Sequence, residues 1–184
     1  MYAVTKIGES NINIQRSKFI GYCMPIANIE QAEECLKDIR RKHAQAKHIV
    51  YVYKLLPDIL RKYNSSEPSG TGAPPIQTIL DNMNMTNVLV AVVRYFGGVL
   101  LGTGGLVRAY SECAMEAIND AIPKELTKYY KYKVTIDYSN ISEVEKMDVI
   151  ILDREYGDKA VYNIASKTQN FQFDNIEYLG EIWL

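Results

Sequence analysis

Residues 94 to 110 read Arg94-Tyr95-Phe96-Gly97-Gly98-Val99-Leu100-Leu101-Gly102-Thr103-Gly104-Gly105-Leu106-Val107-Arg108-Ala109-Tyr110 and hold five of the chain's eleven glycines. A glycine cluster this dense lets the backbone adopt positive φ, or lets another group come close to the main chain. Gly97-Gly98 ends an apolar strand pattern, and Gly102-Thr103-Gly104-Gly105 opens an amphipathic helix pattern. Such a junction offers consecutive backbone N–H groups and the positive end of a helix to an anion, with Arg94 and Arg108 placed to clamp it. The segment has neither the Gly-Lys-Ser/Thr end of a P-loop nor GxGxxG spacing, so a nucleotide site of the usual kind is unsupported. The competing reading is that the glycines serve only tight turns and close packing.

A second stretch, Glu67-Pro68-Ser69-Gly70-Thr71, combines a preset turn with three polar side chains. Glu67, Ser69 and Thr71 either face a ligand or bond to their own backbone, and Gly70 supplies the turn. The two histidines, His43 and His48, are five residues apart rather than the four that align a pair on one helical face for a metal. Neither has a cysteine or serine partner in sequence, because such a pairing is made in the fold. No catalytic residue, metal site or cofactor is therefore assigned.

The elements that position these residues can be read from periodicity. Phe19 to Ile26 is a β-rich run; Asn28, with Gln31 three residues on, marks a capping box for a helix from about Asn28 to Ala44. His48 to Tyr53 is a strand, Leu60 to Tyr63 a shorter partner, and Asn64 to Pro75 a loop leading into a helix through Ile76, Ile79 and Leu80. Asn87 to Phe96 is almost continuously apolar and valine-rich, as in a strand buried on both faces. Leu106, Tyr110, Cys113, Ala117 and Ile118 trace one face of a helix ending near Asp120.

Ala121 to Lys124 is the expected domain boundary, because Pro123 stops the helix and a new pattern begins. Tyr130, Tyr132, Val134, Ile136 and Tyr138 alternate with polar residues, the period-two code of a half-buried strand. Asn140 is placed to cap a short helix, and strands follow at Val149 to Tyr156, Lys159 to Ala165 and Ile176 to Leu184. The chain thus reads as α+β, with one domain over residues 1–122 and a small one over 123–184.

Composition bounds the function. The 184 residues carry 47% hydrophobic and 23% charged side chains and a net charge of −1, ordinary values for a globular protein. Residues 1–123 balance to +2 and 124–184 to −3, so nucleic-acid binding would have to rest on a local patch. No apolar run approaches the roughly 20 residues of a membrane span, and Met1 to Lys6 does not resemble a secretory signal, so a cytoplasmic location without membrane contact is expected. Cys23, Cys35 and Cys113 are odd in number and widely spaced, which reads as reduced thiols.

Four motifs, Ala46-Lys47-His48, Glu67-Pro68-Ser69-Gly70-Thr71, Pro75-Ile76 and Arg94 to Tyr110, resemble in order and spacing the IMPACT family, including its bacterial branch. The resemblance covers most of residues 16 to 120 closely and the second domain loosely. It implies an N-terminal domain like the second domain of a ribosomal small-subunit protein. It also implies a small C-terminal ferredoxin-like domain with shortened helices, similar to the last domain of a translocation factor. Two departures stand out. Tyr63-Asn64-Ser65-Ser66 replaces the family's Ser-Asp-Asp-Gly, which removes paired carboxylates. Between Ala165 and Asn175 only a short segment stands where relatives carry a full helix.

Eukaryotic members of that family are regulators of translation, so the resemblance implies a non-catalytic binding protein linked to translation. Its expected partner is RNA, the ribosome or a translation-regulatory protein, contacted through Arg94, Gly97, Gly98, Gly102, Thr103, Gly104, Gly105 and Arg108. Lys47 and His48, from the first motif, join this set. The alternative is a small peptidase- or phosphatase-like hydrolase using His48 and the Glu67 to Thr71 loop.

Overall fold

In a computed structural model, which describes residues 1–169, 171 and 173–184, the chain divides into two units, Met1–Glu125 and Leu126–Leu184. The first unit opens with strands β1 (Tyr2–Val4), β2 (Gly8–Ile14) and β3 (Ser17–Pro25) and helix α1 (Ile29–Lys42). Strands β4 (His48–Leu55) and β5 (Ile59–Tyr63), helix α2 (Ala73–Asn82), strand β6 (Val88–Tyr95), helix α3 (Gly102–Asp120) and strand β7 (Pro123–Glu125) complete it.

The placement of β6 explains why its sequence is apolar from Val88 to Val93. It lies third in the antiparallel sheet β2-β3-β6-β4-β5, and successive side chains point to opposite faces. Val88, Val90 and Val92 enter one core with Ala73, Ile76 and Leu80 of α2 and Leu106, Tyr110 and Cys113 of α3. Leu89, Ala91 and Val93 enter another with Ala32, Leu36 and Ile39 of α1. The same alternation decides the end of the strand. Arg94 continues the α3-facing series, whereas Tyr95 faces α1 and pairs its hydroxyl with His43 Nδ1 at 2.9 Å. His43 Nε2 meets the Tyr22 hydroxyl at 2.8 Å, so both ring nitrogens of this buried histidine are engaged.

Helix α1 starts at its expected cap: the Asn28 side chain accepts a hydrogen bond from Gln31 N at 2.8 Å. The reciprocal arm reaches one residue further back than a capping box requires, because Gln31 Oε1 accepts from Ala27 N. Helix α2 begins at Ala73, before the expected loop end, with Pro74 and Pro75 in its first turn, where a missing N–H costs nothing. The first unit ends at Glu125 rather than at residue 122, because β7 pairs antiparallel with β1 from Tyr2↔Glu125 to Val4↔Pro123.

The second unit contains β8 (Lys128–Ile136), a 3₁₀ turn over Tyr138–Asn140, α4 (Ile141–Glu145), β9 (Ile150–Tyr156), β10 (Ala160–Ser166) and β11 (Ile176–Trp183). Its strands lie in the order β11-β8-β10-β9, every neighbour antiparallel. Tyr132, Val134 and Ile136 form the core with Tyr162, Ile164 and Val144, so the tyrosine alternation of β8 is packing rather than an open stacking surface. Asn140 precedes α4 but its side chain makes no capping bond. Of the segment between Ala165 and Asn175, Asn170 and Gln172 lie outside the described residues; Phe171 and Phe173 pack against the core.

Candidate functional site: a cavity at the amino end of α3

The end of the sheet that carries Arg94 also carries Phe19 and His48, its cross-strand partners on β3 and β4. All three therefore face α3. Opposite them the loop after β5 delivers Glu67, whose side chain is 1% exposed. Arg94 Nη1 donates to both Glu67 carboxylate oxygens, at 2.8 and 3.0 Å, and the Tyr110 hydroxyl donates to Oε1 at 2.7 Å. A buried carboxylate costs several kcal/mol to desolvate unless it is paired and hydrogen-bonded, and here it is both. Burial and then the bond to Glu67 push the Tyr110 phenol far above its ordinary value, so it stays a donor. His48 Nδ1 lies 3.6 Å from Glu67 Oε1, beyond hydrogen-bond reach, and has no hydrogen-bond partner among the described residues.

The loop that presents Glu67 is held from behind by Asn64. Its Oδ1 accepts from Ala73 N at 2.8 Å and Gly72 N at 3.2 Å, at the start of α2, while Nδ2 donates to the carbonyl oxygens of Glu67 and Pro68. One amide thus ties the turn to the helix. Thr71, buried, gives its hydroxyl to Pro68 O at 2.7 Å and serves its own turn. Ser69 and Gly70 are exposed, and Gly70 takes φ +83°.

Above this cluster opens a cavity of about 460 Å³ walled by Lys47, His48, Glu67, Arg94 and Thr103 and by the apolar Phe96, Leu100, Leu101 and Leu106. The glycines shape its rim. A Cβ on Gly97 would come within 2.1 Å of the Arg16 backbone, so the chain passes the β2–β3 turn more closely than any other residue permits. Gly98 and Gly102, at φ +83° and +69°, bracket Val99-Leu100-Leu101, in which Leu101 packs against the core and Leu100 turns outward. Leu100 is 85% exposed, and Phe96, before the glycine pair, 45%. Helix α3 starts at Gly102 with no side-chain cap on its first N–H groups.

Of the residues singled out in the sequence, Lys47, His48, Glu67, Arg94, Gly102 and Thr103 meet at this cavity. Arg108 does not line it; the residue is exposed further along α3, so Arg94 and Arg108 do not form a clamp there. Arg94 is moreover bound to Glu67 rather than free. Sequence reasoning missed the Glu67–Arg94–Tyr110 cluster as a unit. Each member stood in a noted motif, but separations of 27 and 43 residues carry no periodic signal. Among the described residues, no group of three or more His, Cys, Asp or Glu could hold a metal ion.

The family model of the Impact N-terminal domain matches residues 15–118, which include every residue lining the cavity. The chain is 31% identical over 146 residues to the IMPACT family member YvyE of Bacillus subtilis, covering 78% of this chain and 67% of that protein. It is 36% identical over 131 residues to an IMPACT family member of Thermus thermophilus, covering 71% of each. With the IMPACT family member YigZ of Escherichia coli it shares 29% over 138 residues, 73% of this chain and 68% of YigZ. The crystal structure of a hypothetical protein superposes with a TM-score of 0.67 at 24% identity, covering 89% of this chain and 84% of the other, and so shares the fold. The chain belongs to the IMPACT family.

Proposed function

We propose that this chain is a non-catalytic binding protein of the translation apparatus that meets its partner through the glycine-rich segment and the cavity behind it. The observation that carries this reading is the state of Glu67. Its carboxylate accepts three hydrogen bonds from Arg94 and Tyr110 in a buried site, which leaves it a poor general base. The exposed apolar tip at Leu100 and the uncapped start of α3 suit a surface that docks rather than one that turns over a substrate.

Family membership supports the link to translation, and the two domain types fit it. The strand order β11-β8-β10-β9, with one short helix between β8 and β9, supports a ferredoxin-like second unit like the last domain of a translocation factor. The sheet with helices on both faces supports a ribosomal-protein-like first unit. Work in the cytoplasm accords with the finding that no described helix is long and apolar enough to cross a membrane.

Cosedimentation with purified ribosomes through a sucrose cushion tests the reading. Wild type pellets with ribosomes, and Leu100→Asp, a change at a nearly free side chain, reduces the pelleted fraction. Absence of pelleting, together with a hydrolase activity that His48→Ala abolishes, would reverse it in favour of the peptidase- or phosphatase-like alternative.

A further inference from the structure

The cavity at α3 combines an apolar wall, a ring platform and a cationic rim, and we propose that it takes one unstacked nucleotide of a single-stranded RNA whose backbone runs across the rim. This deepens the translation reading and rests on it for biological context. Four features carry it.

The first is volume and lining: about 460 Å³ lies within the range of small-ligand sites, and Phe96, Leu100, Leu101 and Leu106 provide the flat apolar contact that a base requires. The second is the platform itself. Phe96 is 45% exposed while the Arg94 guanidinium carbon sits 5.5 Å from its ring centroid, so the ring is held from one side and remains open to a stacking partner.

The third is an unused donor. The Arg94 side chain is 6% exposed and lines the cavity, yet its buried Nε makes no hydrogen bond among the described residues. A desolvated guanidinium donor left over after pairing with Glu67 calls for an acceptor.

The fourth is the rim. Lys47 lines the cavity, and Arg16 sits in the turn whose backbone abuts Gly97. Both are exposed, and neither has a carboxylate partner within ion-pair distance among the described residues. Two unpaired cations at one cavity mouth, in a chain of net charge −1, form a local patch for backbone binding. A duplex buries its bases and cannot fill the apolar wall, whereas a single strand can.

Fluorescence anisotropy with a labelled 12-nucleotide single-stranded RNA of mixed sequence, and with the same sequence as a duplex, tests this over a series of salt concentrations. Wild type binds the single strand more tightly than the duplex. Phe96→Ala weakens single-strand binding by about tenfold. Replacing Arg16 and Lys47 by alanine flattens the plot of log affinity against log salt by about 0.7 per contact removed. Equal thermal midpoints for wild type and these surface variants exclude misfolding as the cause. Absence of single-strand binding at low salt, a preference for duplex, or indifference to Phe96→Ala would overturn the inference. A chain that pellets with ribosomes but ignores the oligonucleotide sinks this inference and leaves the translation reading standing; a chain that binds the oligonucleotide but never pellets does the reverse.

Discussion

Arg94 Nη1 is shared between the two carboxylate oxygens of Glu67, at 2.8 and 3.0 Å, inside a site where neither side chain is more than 6% exposed. A buried pair of this kind is costly to break from one side, because the survivor is left as an uncompensated charge. Glu67→Ala or Arg94→Ala alone is expected to destabilise the first unit by about 3–5 kcal/mol. Glu67→Ala combined with Arg94→Ala is expected to cost less than the sum of the single changes, because the double variant leaves neither charge of the pair uncompensated. Urea unfolding of the three variants and a double-mutant cycle measure this; strict additivity would contradict it.

Alkaline pH is expected to weaken the fold. Burial pushes the Cys23 thiol from its ordinary 9.0 to about 12, and burial, partly offset by a hydrogen bond with Ser10, pushes Cys113 to about 11. Tyr110 is raised above its ordinary 10.0 by burial and by Glu67. Each group keeps its proton in the folded chain after the unfolded chain has lost it. Above pH 9 the unfolded state binds fewer protons, so stability falls as pH rises, by about 1.4 kcal/mol per pH unit for each group between its two values. Urea midpoints at pH 7, 9 and 10.5 under reducing conditions check this, and Cys23→Ala with Cys113→Ala should flatten the decline.

Asn64 uses its amide as both donor and acceptor, joining Glu67 O and Pro68 O to the first N–H groups of α2. Asn64→Asp keeps the acceptor side but turns a second oxygen toward two carbonyl oxygens. A loss of about 1–3 kcal/mol follows from the unsatisfied carbonyls. Thermal unfolding reads it, and a variant as stable as wild type would show that the helix start alone matters here.

Two glycines of the signature predict opposite outcomes. Gly97→Ala forces a Cβ into the Arg16 backbone and should destabilise the chain. Gly104 lies inside α3 with nothing within 4 Å of a built Cβ, so Gly104→Ala should stabilise by about 0.5–1 kcal/mol. Differential scanning calorimetry distinguishes the two. If Gly104→Ala is more stable but binds single-stranded RNA less well, backbone approach at the α3 start is the function of that glycine.

Much of the fold is legible along the chain because the signals are local. The Asn28 cap, the unbroken apolar run of β6 and the two-residue alternation of β8 each follow from what a helix end or a pleated strand demands of its own residues. Boundaries were less legible. β7 belongs to the first unit only because β1, more than a hundred residues earlier, supplies its partner. α2 starts at Ala73 because Asn64, inside what reads as loop, accepts from its first N–H groups.

The site divides in the same way. The sequence by itself determined that glycines would crowd the β6–α3 junction, that Glu67 would sit on a turn, and that the chain belongs with a recognisable family, since motif order is a property of the chain alone. Only the tertiary structure decided what those residues do to one another. Side-chain parity on β6 aimed Arg94 at α3 and away from α1, the helical phase of α3 brought Tyr110 rather than Arg108 onto Glu67, and burial turned two separate motifs into one neutralised cluster. Electrostatic pairing depends on distance through space and on exclusion of water, and neither quantity is written in sequence separation.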